Sequence, residues 1–140
     1  MINYKKRSIS DPLMWSNAFF LVPVVWWIYL ECYFYTIVNM CVFTFSCMYH
    51  RCGERKYLYH DMGFSILAFS IGFRDNLIYN SLLFWVSMAS CIGYYVFLCK
   101  LWREGRCSEY RVWHSIWHVW ASATICVSAY ITGINTIKER

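Results

Sequence analysis

The chain has 140 residues, of which 59% are hydrophobic, 21% aromatic and only 15% charged, where an ordinary soluble domain carries about a quarter charged residues. A soluble domain of this size could not hide so much apolar surface, whereas lipid accepts a greasy outer face, and the 12 Tyr and 8 Trp suit the membrane–water interface. The net charge of +5 does not indicate nucleic-acid binding, because the basic residues are dispersed between apolar segments instead of forming one patch.

Five apolar segments follow in chain order within a single domain spanning 1–140, and the expected fold class is an all-α integral membrane bundle of about five transmembrane helices. The first segment runs from Leu13 to Leu30, with Asp11 as N-cap, Pro12 at the first helical position and a kink expected at Pro23. The basic start at Lys5, Lys6 and Arg7 feeds an apolar run too long for a signal-peptide core. Glu31 marks a turn, and the second segment covers 32–50. After the basic stretch from Arg51 to Lys56, the third segment spans 58–73, near the lower length limit of roughly 17 residues for a membrane span. Arg74, Asp75 and Asn76 read as the next turn, the fourth segment covers 77–101, and the fifth covers 112–134 after a polar loop.

Positive charge orients such a bundle. Ten basic residues (Lys5, Lys6, Arg7, Arg51, Arg55, Lys56, Lys100, Arg103, Arg106 and Arg111) fall on the side of the N-terminus. Three, Arg74, Lys138 and Arg140, fall on the other. The expected topology is a multi-pass protein with a cytosolic N-terminus and an external or lumenal C-terminus. A re-entrant third segment would turn the split into nine against four. The eight cysteines do not read as a disulfide framework: Cys41, Cys47, Cys91 and Cys126 sit inside apolar runs as small hydrophobes. Cys52, Cys99 and Cys107, beside basic membrane edges, read as free thiols; palmitoylation there is the alternative.

The five-helix topology collects all four histidines, His50, His60, His114 and His118, at the cytosolic side, and ionisable groups at membrane depth mark function by default. His114 and His118 are four apart and share a helix face, the spacing by which one helix offers two imidazoles to one metal. His50 supplies a third nitrogen from another helix. Three protein ligands leave a fourth tetrahedral position for water, whose pKa zinc lowers toward neutrality. Ser46, one turn before His50 on the same face, can donate a hydrogen bond to a developing oxyanion. Asp61, at the start of the third segment, can orient that water or exchange its proton. Each signal has a plainer reading alone: interfacial histidines, a helix-packing hydroxyl at Ser46, an N-cap at Asp61. His60 reads as interfacial. Ligation by Cys47 or Cys52 ranks lower, since Cys47 faces away from His50 and Cys52 follows the expected helix end.

The segments Phe45-Ser46-Cys47-Met48-Tyr49-His50-Arg51-Cys52, Asp61-Met62-Gly63-Phe64-Ser65 and His114-Ser115-Ile116-Trp117-His118 resemble the CREST superfamily of membrane hydrolases. That group includes alkaline ceramidases, progestin and adipoQ receptors, Per1-like proteins, and a myomaker and post-GPI-attachment lipase branch, whose motif wording this chain resembles most. The resemblance implies Zn2+ on His50, His114 and His118, with Ser46 and Asp61 as catalytic residues beside it. It also implies hydrolysis of a membrane lipid amide or ester at the cytosolic leaflet. The alternative it leaves open is a non-enzymatic membrane-remodelling or scaffold protein with a structural zinc. Family members usually have seven helices and this chain offers five, as if one hairpin between the aspartate helix and the last helix were absent. Self-association into a homo-oligomer is then one way to close the cavity. A metal-free scaffold is a third reading.

Overall fold

A computed structural model describes residues 8, 11–79 and 81–138. The basic residues Lys5, Lys6, Arg7 and Arg140 lie outside the described residues. Those described form an all-helical chain of five helices: α1 (Pro12–Tyr29), α2 (Tyr33–Cys52), α3 (Arg55–Tyr79), α4 (Leu82–Arg103) and α5 (Cys107–Lys138). Two of them, α1 and α4, are long and apolar enough to cross a membrane.

The start of α1 follows from its sequence. Asp11 Oδ1 accepts a hydrogen bond from the Leu13 amide at 2.9 Å, and Pro12 occupies a position whose N–H has no helical partner in any case. The expected disturbance at Pro23 takes the form of a 3-10 turn over Asn17–Phe20. Pro23 has no N–H to give to the Phe19 carbonyl four residues earlier. Ser122 on α5 supplies the missing donor, at 2.6 Å from Phe19 O. The proline thereby tethers α1 to α5.

Glu31 turns the chain between α1 and α2 in the left-handed region, φ 58°, and Gly53 ends α2 at φ 68°, where glycine bears no Cβ penalty. The second helix continues through Cys52, two residues past the expected end. The third segment departs most from expectation. The helix α3 has 25 residues and runs straight through Arg74, Asp75 and Asn76, the expected turn. These polar residues stay helical because their side chains have partners. Tyr35 Oη donates to Asp75 Oδ2 at 2.6 Å, Arg74 holds Asp75 Oδ1 at 2.7 Å, and Asn76 Oδ1 accepts from the Ser81 amide at 3.2 Å.

Neighbours in space are α1–α2, α2–α3, α3–α5 and α5–α1, a square in which α2 and α5 stand on a diagonal, while α4 leans on α5 from outside. The core joins Phe20, Val42, Cys91, Ala121 and Ile125, one or more from each of α1, α2, α4 and α5, with Phe64, Ala68 and Phe69 of α3 packed against them. Buried residues include many polar ones, among them Ser46 and His118 at 1% exposure each. Large apolar side chains face outward, such as Leu82 at 77% and Ile37 at 62%.

Near the start of α5, Arg111 approaches Asp11 at 4.0 Å, so the beginnings of α1 and α5 lie at one end of the bundle. In the preceding loop Arg106 grips Glu104 and Glu109. The hydrogen bond from Arg106 holds the Glu109 carboxyl below its ordinary range. All eight cysteines are free thiols.

Candidate metal centre

Helix directions alone gather the candidate residues. The end of α2 and the starts of α3 and α5 share the end of the bundle that carries Asp11. There His50 comes from α2, and His114 and His118 come from consecutive turns of α5. One ring nitrogen from each lies within 4.8 Å of the others, so the three can hold a metal ion. His50 and His118 are buried and His114 is half-buried. The ring centroids of the three pairs are 4.7 to 5.0 Å apart.

One edge of the donor set, between His50 and His118, has the length a tetrahedral ion requires. Imidazole nitrogens about 2.0–2.1 Å from zinc stand about 3.3–3.4 Å from one another along a tetrahedron edge. His50 Nε2 and His118 Nε2 are 3.3 Å apart. Two lone pairs at that distance repel, so the pair needs either a proton or a cation between them.

Ser46 is fully buried one turn from His50, as expected from its spacing, and its side chain is hydrogen-bonded to that of Asp61. Asp61 itself is six residues inside α3, which begins at Arg55. The plainer reading of Asp61 as an N-cap is therefore corrected: Glu54 and the residues after it start the helix, the Tyr57 and Leu58 amides bonding to the Glu54 carbonyl.

His60 stands apart from the other three. It is exposed, its Nδ1 bonds to the Lys56 carbonyl at 2.6 Å, and its ring stacks on Phe45 at 4.8 Å between centroids. No cysteine joins the histidine group among the described residues.

Sequence reasoning missed one contact. The first helix reaches the site through Ser16, whose Oγ is 2.8 Å from His118 Nδ1, and through Phe20, whose ring lies 5.4 Å from that of His118. Ser16 is 102 residues from His118, so no local spacing could have revealed it. No protein-family model matches the chain, and neither the curated proteins nor the solved structures contain a match to it.

Proposed function

We propose that the chain is a five-span membrane protein whose buried histidine centre binds zinc and hydrolyses a lipid amide or ester at the cytosolic leaflet. The observation that carries the metal is the 3.3 Å separation of His50 Nε2 and His118 Nε2, with His114 beside them. The observation that favours lipid surroundings is the inverted surface: apolar side chains point outward while Ser46, His50 and His118 are enclosed. Three imidazole nitrogens suit zinc, and they leave the fourth tetrahedral position to a water or substrate oxygen. The resemblance of the motifs to the CREST superfamily supports the same reading.

The bound ion would acidify a water and polarise the substrate carbonyl. The remaining work falls to this chain's own side chains. Asp61 takes the proton released as the water oxygen adds to the carbonyl carbon, then passes it to the departing amine or alcohol. Ser46 has one hydroxyl hydrogen, engaged with Asp61 at rest. Once Asp61 is protonated it no longer needs that hydrogen, and Ser46 can turn it to the developing oxyanion. Protonation of one residue thereby releases the other. The outer face of α3 carries an open, shallow depression lined by Tyr59, His60, Gly63, Phe64 and Leu67, against which an acyl chain can lie.

A second reading, a structural zinc in a membrane-remodelling protein, is favoured by one observation. The centre is closed in: Ser46, His50 and His118 are only 1%, 4% and 1% exposed, as the ligands of a structural ion are. Turnover of fluorescent ceramide and phospholipid substrates by purified protein separates the two. Hydrolysis by the wild type that Asp61→Asn abolishes supports the enzyme; bound zinc with no turnover of either lipid class supports the structural site.

A further inference from the structure

We propose that Ser16 is a positioning residue for the metal centre: it fixes His118 as the Nδ1–H tautomer and so leaves Nε2 as the ligating atom. The inference rests on the metal reading above, and it concerns a residue outside the motifs of the histidine helices.

The assignment follows from counting hydrogens. Ser16 Oγ lies 3.1 Å from the Leu13 carbonyl and 2.8 Å from His118 Nδ1, and it is buried. The contact with Leu13 O is a hydrogen bond only with Ser16 as its donor, and we assign the single hydroxyl hydrogen there. Toward His118, Ser16 can then only accept, which places a hydrogen on Nδ1. The neutral ring carries one hydrogen, so Nε2 bears the lone pair. That atom is the one 3.3 Å from His50 Nε2.

The first helix is shaped to deliver this contact. Leu13 O also accepts from Asn17 Nδ2 at 2.8 Å, and the helix tightens to 3-10 directly after Ser16. Phe20, one turn on, packs its ring against that of His118. The hydroxyl and the aromatic face together fix both tautomer and ring orientation, as outer partners of metal-bound histidines generally do.

The test uses the full chain purified in detergent, as wild type, Ser16→Ala and Ser16→Thr. The 15N resonances of labelled histidine in metal-free protein report the tautomer directly. Zinc affinity by chelator competition and the visible spectrum of the cobalt-loaded protein report the site, and circular dichroism reports the fold. The expected result is an Nδ1–H tautomer for His118 in the wild type. In Ser16→Ala, zinc affinity falls roughly 10- to 100-fold with an altered cobalt spectrum at unchanged helicity. Ser16→Thr, which keeps the hydroxyl, restores both. An Nε2–H tautomer in wild type would overturn the proposal, as would wild-type affinity in Ser16→Ala or a loss that Ser16→Thr fails to restore. Wild type that binds no metal yet shows the Nδ1–H tautomer would instead reject the metal reading, and the role of Ser16 in it.

Discussion

His50 and His118 are 68 residues apart in sequence and bring their Nε2 atoms to 3.3 Å, across the diagonal of a helical square. Helices α2 and α5 meet there through imidazoles, at a position where a purely structural bundle would place apolar side chains. Burying two polar rings in that way costs stability unless a shared proton or ion satisfies them.

The division of labour between Asp61 and Ser46 can be read kinetically. In the proposed hydrolase Asp61→Asn would remove the proton acceptor, and it is expected to lower lipid turnover roughly 100- to 10,000-fold with zinc content unchanged. Ser46→Ala removes an oxyanion donor and is expected to cost roughly 100- to 1,000-fold in kcat. Because Ser46 and Asp61 share a hydrogen bond, the double variant should be far less than multiplicatively impaired. Multiplicative losses would mean that the two act independently.

The Pro23–Ser122 relationship makes a stability prediction. Ser122→Ala leaves the part-buried Phe19 carbonyl without the donor that Pro23 cannot supply, at an expected cost of about 1 kcal/mol. Introducing Pro23→Ala restores a backbone donor four residues along, so the same Ser122→Ala change should cost much less in that background. Denaturation of all four proteins in one detergent gives the coupling, and equal costs in both backgrounds would remove Ser122 from this role.

Topology is the third expectation. If all five helices span, the ten-to-three division of basic residues predicts an N-terminus in the cytosol and a C-terminus across the membrane. Epitope tags at each end, probed in intact and permeabilised cells, read this directly. Both tags on one side would rule out five spans.

Helix number and the histidine cluster were legible in the sequence because apolar runs and i, i+4 spacing are local signals. Arg74, Asp75 and Asn76 misled because charge alone reads as a turn, and their helical state depends on Tyr35 and Ser81. Asp61 looked like a helix start for the same reason: the polar stretch before it is itself the first turn of α3. Ser16 carried no signal, since its meaning comes from a partner on the last helix.

The most direct test of the central claim is the metal content of the purified protein. Elemental analysis is expected to find one zinc per chain in the wild type, and a small fraction of that in His50→Ala, His114→Ala and His118→Ala at unchanged helicity. Wild-type protein free of zinc after purification without chelators, or a triple histidine variant that retains the full amount, would contradict it.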